Sequence, residues 1–115
     1  METLSKEKIS IIINEVKERL SPLFDSVIAE CRLFGSCSRG DYTEDSDIDI
    51  LLLMNCGYLE SEKYDRFISE IMTDMMIKYS ELVNFICVPY NDFMEKKNWY
   101  PLYKNIENEG TVLYG

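Results

Sequence analysis

Histidine is absent from this chain of 115 residues, and that absence excludes more chemistry than any other gap in the composition. Serine and cysteine nucleophiles commonly depend on a histidine base, and most zinc sites include a histidine ligand. We therefore expect neither a His-assisted hydrolase nor a typical zinc centre.

Positive charge and long apolar runs are also scarce. Twelve Lys and Arg residues stand against 21 Asp and Glu residues, which gives a net charge of -9 at pH 7. Such a surface repels the phosphate backbone of DNA and RNA, so we expect no direct nucleic-acid partner. A cation can still bridge an acidic protein to a single nucleotide. No apolar run approaches the length of a membrane span, and we expect no membrane association.

The cysteines and the chain length indicate a small intracellular domain. The four cysteines include no CxxC pair, and the N-terminus carries no secretory signal, so we expect reduced thiols and a cytoplasmic protein. A content of 46% hydrophobic and 29% charged residues is typical of a folded chain. The length suits one domain that spans residues 1–115.

Hydrophobic periodicity predicts an alternation of helices and strands. Helical spacing covers 4–21 and 60–80, and strand-like runs cover 26–34, 47–54 and 82–88. The run 47–54 is apolar enough for burial on both faces. Short helices after Asn91 and Pro101, and a strand fragment at 111–115, complete the pattern, with Ser36 and Asn91 as candidate helix caps. We expect an α/β (α+β) fold in which helices pack mainly on one face of a small sheet.

The segment 35–49, GSCSRGDYTEDSDID, joins the first two strands and concentrates the residues that carry chemistry. Side chains alternate between the faces of a strand, so Asp47 and Asp49 point the same way, with Cα atoms roughly 6.6 Å apart. Neither carboxylate has a basic neighbour in sequence, and a cation between them would offset their repulsion. Mg²⁺ prefers oxygen ligands and keeps positions for phosphate oxygens. The pair therefore predicts a metal site that also holds a nucleoside triphosphate.

The glycine–serine pair at the start of this segment suits the phosphates. Gly35 allows a phosphate to approach the backbone, and Ser36 offers a hydroxyl group and begins a turn whose N–H groups can face an anion. Arg39 can add a bidentate contact. Each feature alone is usually structural: a turn, a solvated strand start, a surface residue. Together, between two strands, they favour phosphoryl or nucleotidyl transfer.

The longer segment GSCSRGDYTEDSDIDILLL resembles the core signature of the polymerase-beta-like nucleotidyltransferases, and most of all the minimal nucleotidyltransferase (MNT) proteins of prokaryotes. Their pattern is Gly-Ser, ten residues, then Asp-x-Asp, and residues 35–49 match it without a gap. The resemblance extends over the leading helix, the three strands and the closing EGTVLY segment. It implies a small mixed sheet flanked by helices. The nucleotide-binding positions that it implies are Gly35, Ser36, Arg39, Gly40 and Ser46.

The resemblance also implies an activity and a partner. Members transfer a nucleoside monophosphate from a triphosphate, so Asp47 and Asp49 would be catalytic residues that hold Mg²⁺, with ATP or another NTP as substrate. Many MNT proteins pair with a small helical HEPN protein, a toxic ribonuclease, and some neutralise it by placing AMP on a tyrosine. We therefore expect an adenylyltransferase that acts as the antitoxin of a HEPN-type toxin, in a hetero-oligomer.

Asn84 departs from the family pattern, which has a third carboxylate at this position on the next strand. An asparagine carries no charge and cannot act as a general base. Either two aspartates suffice for transfer, with Glu81 or Asp92 as a stand-in, or the protein neutralises its partner by binding alone. Modification of aminoglycosides is a weaker third reading, because the relatives that perform it carry an added helical domain.

Overall fold

A computed structural model describes residues 4–115 and contains a four-stranded sheet with helices on both faces. The helices are α1 (Lys6–Leu20), α2 (Ser36–Arg39), α3 (Tyr58–Ser61), α4 (Asp65–Tyr79), α5 (Tyr90–Lys96) and α6 (Pro101–Glu109). The strands are β1 (Ile28–Phe34), β2 (Ile48–Met54), β3 (Val83–Pro89) and β4 (Thr111–Tyr114). The α/β class is confirmed, although the segment predicted as one helix over 60–80 is divided into α3, a 3-10 turn and α4.

The sheet is mixed, as the resemblance implies. Its strand order is β3-β2-β1-β4. β1 pairs antiparallel with both β2 and β4, whereas β2 and β3 run parallel and are joined by a crossover that contains α3 and α4. The end of β1 and the starts of β2 and β3 therefore lie at the same edge of the sheet.

Helices cover both faces of this sheet. On one face α1 and α4 bury Val16 and Ile71 against Ile50 of β2, and on the other α5 and α6 bury Phe93 against Leu51. The expectation that helices pack mainly on one face is wrong. Because residues 50–54 of β2 are all apolar and point alternately to opposite sides, each side needs its own cover.

Helix capping follows the local sequence only in part. The Ser5 hydroxyl accepts a hydrogen bond from the backbone N–H of Lys8 at 3.1 Å and caps α1. The predicted caps at Ser36 and Asn91 are wrong, because both residues lie inside their helices, after Gly35 and Pro89 respectively. No helix within residues 4–115 combines the length and the apolarity needed to cross a bilayer.

Candidate nucleotide and metal site

The two predicted carboxylates lie together at the start of β2. Ile48 and Ile50 point into the core beneath α1 and α4 and are fully buried, so the alternation along β2 leaves Asp47 and Asp49 half-buried on the other face. Asn84 of β3 is the partner of Asp49 in the parallel register. The sheet thus gathers the three side chains that sequence analysis singled out from two separate strands.

One nitrogen atom of Asn84 contacts both carboxylates. Its Nδ2 donates hydrogen bonds to Asp47 Oδ2 at 3.1 Å and to Asp49 Oδ1 at 3.3 Å. Burial raises the pKa of Asp49; the hydrogen bond from Asn84 opposes this rise, and the charge of Asp47 adds to it. The amide therefore relieves only part of the cost of two adjacent carboxylates, because it brings no positive charge.

The donor set fits a hard divalent cation such as Mg²⁺. Asp47 and Asp49 offer oxygen ligands. The side-chain amide of Asn84, whose nitrogen faces both carboxylates, also carries an oxygen that can act as a ligand. Within residues 4–115 no cluster of three or more Cys, Asp or Glu side chains surrounds a common position. An ion held here would therefore take its remaining ligands from water and substrate, as Mg²⁺ does when it binds through one or two carboxylates plus phosphates.

Gly35 brings the Gly35–Ser36 turn, here called the phosphate turn, into contact with the carboxylate of Asp49. Its φ angle is +74°, and a Cβ atom at this residue would lie 2.6 Å from Asp49 Oδ2. The first intrahelical hydrogen bonds of α2 run from the amides of Ser38 and Arg39 to the Gly35 oxygen, each at 3.1 Å. The amides of Ser36 and Cys37 precede them and have no acceptor within the helix, so they are suitable donors to a phosphate.

Arg39 is held by acidic side chains. Its guanidinium donates to Asp41 at 3.3 Å and to Glu109, at the end of α6, at 3.4 Å. Both ion pairs are exposed and therefore weak, so a phosphate can replace them. Ser38 also ties α2 to the end of α6 and the start of β4, since its Oγ lies 2.8 Å from the Glu109 carbonyl oxygen and 2.9 Å from Thr111 Oγ1.

Gly40 and Ser46 shape the loop that leads to Asp47. Gly40 ends α2 in the left-handed region, with a φ angle of +88°. Ser46 Oγ accepts a hydrogen bond from the Thr43 amide at 2.8 Å, and the Ser46 amide donates to the Thr43 oxygen at 3.1 Å. These contacts lie within the loop, and nucleotide contacts at Gly40 and Ser46 stay predictions.

Glu81 and Asp92, the two proposed substitutes for a third carboxylate, are both bound to other side chains. Glu81 pairs with Lys8 of α1 at 3.6 Å, and both side chains are largely buried. Asp92 lies beyond the far end of β3, where it accepts a hydrogen bond from the Tyr58 hydroxyl at 2.9 Å and pairs with Lys96 at 2.8 Å. Seven strand residues at about 3.3 Å each separate it from the start of β3, so Asp92 cannot replace the missing carboxylate.

A pocket beside the phosphate turn was not foreseen from the sequence. It measures about 220 Å³ and lies between the end of β1 and α6. Gly35 and Arg39 line it together with the α6 residues Asn105 and Glu109. No motif marks α6, because its contribution depends on the return of the chain, about 70 residues later, to the end of β1.

Comparison with known sequences identifies the family. Residues 9–113 match the family model described as "Nucleotidyltransferase domain". A Methanocaldococcus jannaschii protein that bears the provisional name of protein adenylyltransferase is 34% identical over 102 residues, which are 89% of this chain and 94% of the relative. A second protein of that organism with the same provisional name is 34% identical over 73 residues, 64% of this chain and 72% of the relative.

Solved structures share the fold. A provisionally named nucleotidyltransferase from Sulfolobus solfataricus has a TM-score of 0.57 and 20% identity, over 97% of this chain and 89% of its own. A chain of a toxin–antitoxin complex with AMP-PNP has a TM-score of 0.61 and 19% identity, and the match covers 90% of this chain and 73% of that one. A chain of the complex between a tri-AMPylated Shewanella oneidensis HEPN toxin and an MNT antitoxin has a TM-score of 0.56 and 16% identity, over 93% and 72%.

These structural likenesses, at 20% identity or less, establish the fold alone. The family model also establishes the family, because it spans residues 9–113, which include the Gly35–Ser36 turn and both Asp47 and Asp49. On this evidence the chain belongs to the nucleotidyltransferase domain family and is a nucleotidyltransferase.

Proposed function

We propose that this protein is a Mg²⁺-dependent adenylyltransferase, acting as a single domain in the cytoplasm, that transfers AMP from ATP to a hydroxyl group of a partner protein. One observation carries the proposal: Gly35 lies directly against Asp49, so the phosphate turn and the carboxylate pair form one continuous site. The provisional names of the two Methanocaldococcus relatives support the choice of adenylyl transfer to a protein.

Each part of the site has a distinct task in this reaction. Asp47 and Asp49 would hold the cation, which when bound neutralises phosphate charge and polarises the α-phosphate. The amides of Ser36 and Cys37 would bind oxygens of the leaving pyrophosphate, and Arg39 would join them after it leaves its acidic neighbours.

The transfer balances without a further reactant. The acceptor oxygen forms a bond to the α-phosphorus of ATP, and the bond from that phosphorus to the oxygen it shares with the β-phosphate breaks. Pyrophosphate leaves with the bonding electrons. The proton of the acceptor hydroxyl passes to water, since Asn84 has no basic group to receive it.

A HEPN-type toxin is the partner that we propose, with this protein as its antitoxin in a hetero-oligomer. The fold shared with chains of toxin–antitoxin complexes supports this choice. The net charge of -9 supports it independently, because a ribonuclease binds RNA through basic residues that an acidic surface can complement.

Neutralisation by binding alone is a second candidate, and Asn84 is the observation that favours it. The amide occupies the place of a family carboxylate and tethers Asp47 and Asp49 without any cation. In that case the protein would mask the toxin and the nucleotide site would be a remnant.

Intact mass of the partner separates the two candidates. The product of the neighbouring gene, as the candidate HEPN-type partner, is co-expressed with wild type, Asp47→Asn or Asp74→Asn, in cells that supply ATP and Mg²⁺. Asp74 is an exposed carboxylate on α4 and serves as the matched control. We expect the toxin to gain one or more AMP units with wild type and Asp74→Asn only. A toxin that copurifies unmodified with all three would overturn transfer and establish masking.

A further inference from the structure

We propose that the exposed aromatic surface at the junction of α5 and α6 is the docking site of the acceptor protein, and that it holds an apolar segment that carries an acidic residue. The surface, called the aromatic patch below, comprises Tyr58, Trp99, Tyr100 and Leu102, whose side chains are 54%, 64%, 42% and 40% exposed. The inference rests on the proposed function, because it names where a protein acceptor would be held during transfer.

The exposed rings of the aromatic patch are anchored in the core. The Trp99 ring meets Tyr100 edge-on, with centres 6.2 Å apart, and Tyr100 meets Tyr103 in the same way at 4.7 Å. Tyr103 in turn lies 5.2 Å from the fully buried ring of Phe93. Rings that are already held in this way lose little conformational freedom when a partner covers their exposed end.

Tyr58 extends the aromatic patch from α6 to α3. Its hydroxyl group is hydrogen-bonded to Tyr103 and to Asp92 of α5, the latter at 2.9 Å. Leu59, the next residue, is 84% exposed. Single apolar side chains on a surface are ordinary, whereas a contiguous group of large ones marks an interaction site. Trp and Tyr are also the residues that dominate the centres of protein interfaces.

The charges around the aromatic patch indicate the chemistry of the partner segment. Residues 96–104 include three lysines and no Asp or Glu, although the whole chain has a net charge of -9. Two of these lysines have carboxylate partners, at 2.8 and 3.3 Å. Lys104, one helical turn after Tyr100, is exposed and pairs with no carboxylate among residues 4–115. An acidic residue in an otherwise apolar segment would complement it.

Nucleic acid suits the same surface less well. Stacking on Trp99 and Tyr100 would be available to bases, but phosphates need several unpaired cations. Only Lys104 of the three lysines is unpaired within residues 4–115, and the acidic chain as a whole repels phosphates. The observations therefore favour a protein segment.

The position of the aromatic patch suits docking rather than catalysis. Trp99 and Tyr100 precede α6, whereas Glu109 at the other end of that helix pairs with Arg39 beside the phosphate turn. Nine helical residues at 1.5 Å each separate the two ends by about 14 Å. A partner held at the patch therefore leaves the carboxylates open to ATP, and a few extended residues of its chain span the distance.

Fluorine NMR on the single tryptophan tests this inference. Trp99 is the only tryptophan of the chain, so growth on fluorotryptophan gives a protein whose one fluorine signal comes from the patch. The unlabelled product of the neighbouring gene, Mg²⁺ with ATP, and a single-stranded RNA oligonucleotide are titrated separately. We expect only the neighbouring gene product to shift or broaden the signal, and no change with it would overturn the inference. A signal that responds instead to the oligonucleotide, or to the concentration of the labelled protein alone, would assign the patch to nucleic acid or to a second copy and overturn it too.

Two variants test the energetic role of the patch. Trp99→Ala should weaken calorimetric binding of the same partner at least about tenfold, because exposed aromatic anchors carry much of the binding energy. Lys104→Glu should weaken it about threefold, and this effect should shrink in high salt. Ile77→Ala, at a 77% exposed residue of α4, is the matched control and should bind as wild type does. Equal binding by all three variants and wild type would overturn the inference.

Transfer kinetics distinguish this inference from the proposed function. Trp99→Ala should raise the KM for the partner and leave kcat and the KM for ATP unchanged. If the partner binds at the patch but is never modified, transfer fails and the docking site stands. If Trp99→Ala modifies the partner with an unchanged KM, the docking site fails and transfer stands.

Discussion

The backbone of Gly35 lies against the carboxylate of Asp49 so closely that a Cβ atom at residue 35 would lie 2.6 Å from Oδ2. The turn after β1 and the first residues of β2 are therefore packed directly against each other. A substitution that enlarges residue 35 should displace Asp49, and with it both the proposed phosphate donors and the proposed metal ligands.

Gly35→Ala should abolish transfer and destabilise the fold. The new methyl group would collide with Asp49, and the backbone angles φ +74° and ψ −158° are adopted almost only by glycine and cost other residues about 1–3 kcal/mol. Gly40→Ala is the control for stability, because Gly40 has a φ angle of +88° but no atom within 4 Å of the added Cβ. Urea denaturation should show a larger loss of stability in Gly35→Ala than in Gly40→Ala, and an ATP-dependent transfer assay should show lost activity in Gly35→Ala. Full activity of Gly35→Ala would show that the contact has no role.

Asn84→Asp should make the stability of the protein depend on a divalent cation. The substitution removes the donor to Asp47 and Asp49 and adds a third charge, so unfolding in EDTA should become easier by about 1–3 kcal/mol. Mg²⁺ should restore this loss. Asn84→Ala is the control, because it removes the donor without adding a charge. Mg²⁺ should restore less of its stability. The measurement is the urea midpoint with and without Mg²⁺, and equal behaviour of both variants would argue against a metal site.

The same Asn84→Asp variant should also transfer AMP faster than wild type, because it supplies a carboxylate that can accept the proton of the acceptor hydroxyl. General-base catalysis of this kind contributes on the order of 10²-fold. Single-turnover rates of partner modification measure the effect. If neither wild type nor the variant modifies the partner, masking is the better account of the protein.

Glu109→Gln should tighten ATP binding at low ionic strength. Arg39 is held by Glu109 at 3.4 Å and by Asp41 at 3.3 Å, and release from one carboxylate makes the guanidinium more available to a phosphate. Exposed pairs contribute at most about 1 kcal/mol, so the gain should be no more than about fivefold and should fade in high salt. Calorimetric titrations at two salt concentrations test this. A weaker affinity for ATP in Glu109→Gln would mean that Glu109 itself contacts the nucleotide.

Glu107→Gln should remove part of the acid sensitivity of the fold. The hydrogen bond from Arg32 lowers the pKa of Glu107 below its usual value, with a smaller contribution from Lys97, although burial opposes the shift. A carboxyl group with a lowered pKa stabilises the fold above its ordinary pKa, and this contribution is lost as the pH falls through the lowered value. Glu107→Gln should therefore cost about 1–2 kcal/mol at pH 7, and the cost should shrink as the pH falls through the lowered pKa of Glu107.

The control for this prediction is Glu70→Gln, in an exposed pair with Arg66 on α4. Its effect on unfolding should stay below about 0.5 kcal/mol at every pH. Urea titrations across the acid range measure both variants. A constant difference between Glu107→Gln and wild type from pH 3 to pH 7 would refute the titration argument.

The candidate site at Asp47 and Asp49 could be predicted from the sequence because its information is local. Alternation along 47–54 fixes the faces of Asp47 and Asp49, and the turn at Gly35 follows directly after an apolar strand. The position of Asn84 beside them depends on the parallel pairing of β2 and β3, which no local pattern predicts; the family resemblance placed Asn84 only on the next strand, and the structure pairs it with Asp49.

Burial of both faces of the sheet follows from the apolar run 47–54, but the helices that cover the second face could not be predicted in this way. α5 and α6 have only seven and nine residues, and their docking depends on a few apolar side chains such as Phe93 and on the ion pair between Arg32 and Glu107, 75 residues apart in the chain. No local pattern reports such partners. The acidic surroundings of Arg39 and the pocket at Asn105 escaped prediction for the same reason, since both require α6 in place.

The contacts of Asn84 with Asp47 and Asp49 span 37 and 35 residues of chain, and the whole crossover between β2 and β3 lies between them. Contacts between residues so far apart in the chain require loop closure before they form, and parallel pairing of this kind is slow in folding. A cation or nucleotide at this edge would therefore recognise only chains whose parallel strands have already met. By mass action, binding would shift late intermediates toward the folded sheet and slow its opening. The substrate of the enzyme would therefore also stabilise its fold.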